Sequence, residues 1–128
     1  MALVKAKNTT PELAARRLVH SLGFRYRLHR KELPGTPDLV FPKRRCVIFV
    51  NGCFWHQHEG CGRSKRPSAR AEYWAHKLDG NIKRDARNIA DLERCGWRVL
   101  TVWECELREP ERLSRTVIRF LEQRRTIP

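Results

Sequence analysis

Cys53, His58 and Cys61 fall within nine residues, in the spacing Cys-x4-His-x2-Cys. Thiolate and imidazole are the donors of structural zinc, which takes four ligands in a tetrahedron. Cys105 is the best fourth ligand, because Cys46 falls inside an apolar strand and Cys95 ends a helix. His56 stands two residues before His58 and could ligate in its place; spacing alone does not separate the two. The histidine left over suits general-base work, since imidazole exchanges its proton near neutral pH. The blander alternative is a set of unpaired core cysteines beside a surface histidine.

Three acids accompany this cluster. Asp38 follows Pro37 and opens the apolar run Leu39-Val40-Phe41, at the mouth of a strand. If the next strand runs antiparallel, the backbone of Val50 and Asn51 lies beside Asp38. A carboxylate and a backbone carbonyl can hold a hard cation such as Mg²⁺, which lowers the pKa of a bound water and stabilises charge on a phosphate. Taken alone, Asp38 reads first as a turn or strand-end residue, and Asp85 shifts that balance. Asp85 lies between Ile82 and Ile89 on one helical face, where a carboxylate needs a partner or a cation. Glu12, in a first helical turn, reads by default as an acid that favours the positive end of the dipole.

The elements that must carry these groups follow from periodicity. Residues 1–9 read as a short basic arm and residues 10–128 as one domain. Thr10-Pro11-Glu12 starts a helix that buries Leu13, Ala14, Leu18 and Leu22 and stops at Gly23. Phe24, Tyr26 and Leu28 alternate with polar residues as a half-exposed strand. Asp38–Phe41 and Cys46–Val50 are the second and third strands, the third apolar on both faces and therefore central. A helix over 71–95 can break at Asp79-Gly80-Asn81, and 97–103 forms a fourth strand, parallel to an earlier one because a helix connects them. Pro110 opens a last helix with Leu113, Val117, Phe120 and Leu121 inward. The result is an α/β domain: a central mixed four-stranded sheet flanked by helices.

Composition bounds the partners. The 128 residues hold 27 Lys and Arg against 14 Asp and Glu, a net charge of +13 with pI near 10.4. A field of that sign recruits polyanions, nucleic acid first among them. Arg63, Lys65 and Arg66 in a basic loop, with Lys83, Arg84 and Arg87 on the long helix, are candidate phosphate contacts. Phe54 and Trp55, consecutive in a loop, and Trp74 could wedge into a base stack. No apolar run approaches the ~20 residues of a membrane span, and no secretory leader is evident. A cytoplasmic location with reduced thiols is the expectation, and it favours metal over disulfides for five clustered cysteines.

Pro34-Gly-x-Pro-Asp38, Phe49-Val-Asn-Gly-Cys-Phe-Trp-His56 and Trp103-Glu-Cys105 resemble motifs of the very-short-patch repair (Vsr) mismatch endonucleases. The resemblance runs from Thr10 to the last helix. It implies a restriction-endonuclease-like, PD-(D/E)xK-type fold with a structural zinc site. The implied activity is nicking one strand beside the T of T·G mismatches left by 5-methylcytosine deamination, with 5′-phosphate and 3′-hydroxyl products. On these positions, Asp38 resembles the Mg²⁺-binding aspartate and Val50 the residue whose carbonyl completes that site. His56 resembles the general base, Asp85 and Glu12 the supporting acids, Cys53, His58, Cys61 and Cys105 the zinc ligands, and Phe54, Trp55 and Trp74 the inserting aromatics. The implied partners are double-stranded DNA with a T·G mismatch and, by family association, mismatch-repair proteins and a cytosine-5 methyltransferase. A nucleoid-associated bacterial monomer is the expectation. This chain departs from the family pattern in a His58–Cys61 spacing one residue longer, in Asn51 where a histidine can occur, and in a shorter N-terminal arm. The competing readings are a same-fold nuclease with relaxed specificity and a non-catalytic zinc-stabilised DNA-binding module.

Overall fold

The computed structural model describes residues 9–123. Of the expected basic arm only Thr9 is among them, and it is a helix cap. Its hydroxyl accepts from the Glu12 N–H at 3.3 Å, one residue earlier than the Thr10 cap expected. The first helix, α1, spans Thr10–Ser21, with Pro11 in its first turn. The face it buries is Glu12, Ala15 and Val19, not the stripe centred on Leu13 and Ala14. An acid occupies the inward stripe, so apolar spacing alone rotated the predicted face.

Four strands follow the order β1 (Arg27–Leu28), β2 (Leu39–Phe41), β3 (Cys46–Asn51) and β4 (Arg98–Trp103). The first is shorter than the alternation of 24–29 suggests. Its two residues are exposed, and Phe24 and Tyr26 pack on the core from outside it. Strands β1–β2 and β2–β3 pair antiparallel, with Leu39 opposite Ile48. Strand β4 joins β3 in parallel, as the helical connection requires, with Asn51 opposite Trp103. Asp38 lies just outside the ladder, immediately before β2.

The three helices cover the two faces of this sheet, two on one face and the longest on the other. On one, Leu39, Phe41, Cys46, Ile48 and Val102 meet Val19 of α1 and Leu113, Val117 and Leu121 of α3 (Pro110–Glu122). Full burial of those three α3 residues contributes roughly 5–9 kcal/mol, enough to hold a helix too short to persist alone. On the other face, Val40 and Val47 meet Leu92 of α2 (Ala71–Arg94) and Trp97. This split between 39/41 and 40, and between 46/48 and 47, is the two-residue pleat of β-structure.

Helix α2 runs unbroken through Asp79-Gly80-Asn81. An interior glycine costs about 1 kcal/mol, which a helix this long absorbs. The two flanking polar side chains point to the loop after β3, where Asn81 donates to the Trp55 carbonyl at 2.9 Å and Asp79 pairs with Arg66 at 2.7 Å. No helix among the described residues is long and apolar enough to cross a membrane.

Candidate functional site

Parallel pairing of β3 and β4 puts their carboxyl ends side by side, and both thiol-bearing segments leave from there. Cys53 follows β3 directly, and Cys105 sits in the short 3₁₀ turn Glu104–Arg108 after β4. The donor atoms of Cys53, His58, Cys61 and Cys105 all lie within 4.8 Å of one another. His58 Nδ1 stands 3.7 Å from Cys53 Sγ and 3.4 Å from Cys105 Sγ. Donors on a tetrahedral zinc, with Zn–S near 2.3 Å and Zn–N near 2.0–2.1 Å, stand about 3.5–3.8 Å apart. The set therefore fits the metal. The His58 ring stacks on Trp103 with centroids 4.2 Å apart, which fixes its orientation. Burial, followed by the neighbouring Cys53 and Cys61 thiols, pushes the Cys105 thiol up to about 12, and burial likewise raises Cys53. Packed thiols resist ionising together; a bound dication removes that resistance.

Next to the cluster opens a cavity of about 790 Å³ lined by Glu12, His29, Asp38, Val50, His56 and Asp85 among others. Asp38 Oδ2 accepts from the Val50 N–H at 2.7 Å, as the antiparallel hairpin predicted for that stretch of backbone. Burial pushes the Asp38 carboxyl up to about 7; the Val50 amide opposes the shift and nearby Glu12 adds to it. Two carboxylates are thus held together in a partly dry pocket, an arrangement that a cation stabilises. Glu12 is 2% exposed, so it is far more than a helix-end acid. It pairs with Arg16 one turn on, and its Oε2 lies 2.9 Å from His29 Nε2. The loop that delivers Asp38 is closed against α2 at Gly35, where a Cβ would lie 2.8 Å from the Asn88 side chain.

His56 and His58, inseparable by spacing, diverge in space. His58 joins the thiols, while His56 Nδ1 lies 2.6 Å from Asp85 Oδ2 at the cavity wall. Ile82 is 41% exposed, so the face that carries Asp85 borders the cavity and is not core, as its apolar neighbours had suggested. The loop bearing His56 is tied down beyond the thiol cluster. Gln57 Nε2 donates to the Phe54 and Ser64 carbonyls, and Arg66 Nε donates to Gln57 Oε1. Backbone bonds from His56 N–H to Gly52 O and from His58 N–H to Cys53 O curl the loop back onto its own start.

Phe54, Trp55 and Trp74 form one half-buried cluster, with ring centroids 5.2 to 5.9 Å apart. Tyr73, which periodicity did not single out, extends it at 5.2 Å from Trp74 and is 46% exposed. Lys77 lies over Trp55 and Arg70 over Tyr73, so the aromatic ridge carries positive charge. Of the candidate phosphate contacts, Arg63, Lys65, Lys83, Arg84 and Arg87 are exposed. Arg66 is half-buried and held by Gln57 and Asp79. His29 escaped the sequence reading because it looked like the polar half of an alternating strand.

Comparison with known proteins gives the chain's family. Residues 1–63 match the family model described as DNA mismatch endonuclease Vsr. The chain is 57% identical over 107 residues to the type II nicking enzyme V.XorIIP of Xanthomonas oryzae pv. oryzae, covering 84% of this chain and 78% of that one. It is 43% identical over 114 residues to the DNA mismatch endonuclease Vsr of Escherichia coli K12, covering 89% and 72%. The type II nicking enzyme V.NmeAIP of Neisseria meningitidis is 39% identical over 121 residues, 91% of this chain and 86% of its own. The chain belongs to the Vsr family of DNA mismatch endonucleases and is a DNA endonuclease.

Proposed function

We propose that this endonuclease, a restriction-endonuclease-like domain acting on DNA of the bacterial cytoplasm, nicks one strand of a duplex beside the thymine of a T·G mismatch. One observation carries the reading. Asp38 and the His56–Asp85 pair face a single cavity, and Phe54 and Trp55 line that same cavity. The groups suited to chemistry and the aromatics suited to wedging a base pair therefore share one cavity.

In this reading the Asp38 carboxylate, with the Val50 backbone carbonyl, holds Mg²⁺, which when bound supplies charge stabilisation at the scissile phosphate. Asp85 orients the His56 ring through Nδ1 and leaves Nε2 to take the proton of the attacking water. Glu12, buried beside Asp38, adds a second carboxyl group to the pocket that the cation would enter. Phe54, Trp55 and Trp74 insert beside the mismatched pair, which is already the most easily unstacked step of the duplex. Arg63, Lys65, Lys83, Arg84 and Arg87 contact phosphates around it. The thiol cluster takes Zn²⁺ and has no part in the reaction beyond holding the loop.

Nicking of an end-labelled T·G duplex should exceed that of the matching T·A duplex by about a hundredfold or more when both are measured at one stated salt concentration. Equal rates would instead make this a nuclease of the same fold that ignores mismatches. His56→Ala should lower the nicking rate by about 10²–10⁴-fold while duplex affinity, followed by gel shift, stays close to wild type. Unchanged turnover in that variant would remove His56 from the role of base.

A further inference from the structure

His29 belongs to neither the thiol cluster nor the His56–Asp85 pair, yet it lines the same cavity as Asp38. It follows the two-residue strand β1, both of whose residues are exposed. Its backbone sits in the left-handed region, with φ 47°. Histidine is among the non-glycine residues that accept that conformation, which four other described residues share. The turn brings the imidazole inward to line the Asp38 cavity, where the side chain is only 15% exposed.

Nε2 there lies 2.9 Å from Glu12 Oε2 and 3.9 Å from Asp38 Oδ1. One donor atom from each of Glu12, His29 and Asp38 falls within 4.8 Å of the others. Around a six-coordinate divalent ion with bonds of about 2.0–2.2 Å, donor atoms stand from about 2.8–3.1 Å apart for neighbours to about 4.0–4.4 Å for opposite pairs. The 2.9 Å separation matches neighbouring donors, and the 3.9 Å one is close to that of an opposite pair. A histidine serving only to orient Glu12 has no need to approach Asp38 as well. Arg16 already supplies Glu12 with a charged partner on the helix side.

We propose that His29 Nε2 is a metal ligand. With the Glu12 and Asp38 carboxylates it makes a mixed nitrogen–oxygen site that binds a first-row divalent ion such as Mn²⁺ or Co²⁺ more tightly than Mg²⁺. The inference rests on the reading of the Asp38 cavity as the cation site and adds to it a nitrogen donor and an ion preference. Imidazole bonds these ions through a softer donor than any carboxylate, and affinity rises along the first row for nitrogen ligands. Mg²⁺ gains little from nitrogen, so it binds the same pocket without the advantage.

Mn²⁺ is the probe, titrated into the full-length protein without DNA and followed by electron paramagnetic resonance. Wild type should bind Mn²⁺ at least about tenfold more tightly than Mg²⁺, measured by competition, and the bound ion should show coupling to a ¹⁴N nucleus. His29→Asn should weaken Mn²⁺ by about tenfold or more, leave Mg²⁺ nearly unchanged and remove the nitrogen coupling. Asparagine accepts left-handed backbone, so this variant keeps the local fold. His29→Gln, which keeps the side chain's reach, should behave alike. Nitrogen coupling that is absent in wild type, or that survives in His29→Asn and vanishes in His56→Asn, would overturn the assignment. So would an equal loss of both ions in the His29 variants. Asp38→Asn separates the two ideas. Mn²⁺ bound as in wild type by that variant would mean the Asp38 reading had failed; Mn²⁺ lost there, with the nitrogen coupling untouched by His29, would mean only the present one had.

Discussion

Asp38→Asn is expected to slow Mg²⁺-dependent nicking by about a thousandfold, the scale on which removing a charge-stabilising group acts. Duplex affinity should hold or rise, because the change deletes a negative charge from a protein that already carries +13. The substitution is close to isosteric, and the Val50 amide that donates to Asp38 at 2.7 Å can still donate to an amide oxygen. A pH dependence follows from the same residue. Burial raises the metal-free Asp38 carboxyl to about 7, so it gains a proton as pH falls through neutrality. Only the ionised form binds a cation well, and proton and cation therefore compete. Nicking at low Mg²⁺ should fall as pH drops below about 7, and raising Mg²⁺ should move that fall to lower pH. A profile indifferent to Mg²⁺ would detach the pH effect from Asp38.

The second large effect belongs to the thiol cluster. Cys105→Ser should lose the zinc and lower stability by about 3 kcal/mol or more, a drop of roughly 10–15 °C in Tm for a domain of this size. Cys95→Ser, at an exposed thiol outside the cluster, should change neither. Thermal unfolding by circular dichroism, with zinc counted by elemental analysis, reads both variants. Nicking should fall with the zinc, because the segment between Cys53 and Cys61 also carries Phe54, Trp55 and His56. The clip joins two positions far apart in sequence whose strands already lie side by side. Its main contribution would therefore be local: it would hold a loop that leaves the sheet at Gly52 and is otherwise fastened by its own backbone bonds and by side-chain bonds through Glu104, Gln57, Arg66 and Asn81.

How legible each part of the site was depends on how local its signal is. Cys53, His58 and Cys61 were readable because short spacing in one loop constrains three donors to one place. Cys105 followed by elimination and by the parallel strand that the connecting helix demands. Asp38 and Val50 were brought together by hairpin register, again a near-neighbour relation. How His56 and His58 diverge was not readable from spacing, since two residues in an irregular turn can point anywhere; in the structure Trp103 stacks on His58 and Asp85 bonds His56. By position alone Glu12 read as a helix-end acid, because a buried acid breaks the apolar stripe used to find a helix face, and only the family resemblance drew it into the site. His29 was hidden by alternation that stops in space after Leu28, where the backbone turns left-handed. Long-range polar pairing and positive φ leave little trace in periodicity, and both are concentrated around this cavity.

The account stands or falls on Asp38 and His56 working on one phosphodiester from one pocket. The direct measurement is single-turnover nicking of an end-labelled T·G duplex in Mg²⁺ by wild type, Asp38→Asn and His56→Ala, with binding determined on the same samples. The prediction is that wild type leaves one nick beside the thymine, while both variants bind the duplex and leave it whole over the same interval. A variant that binds and nicks at the wild-type rate would contradict it.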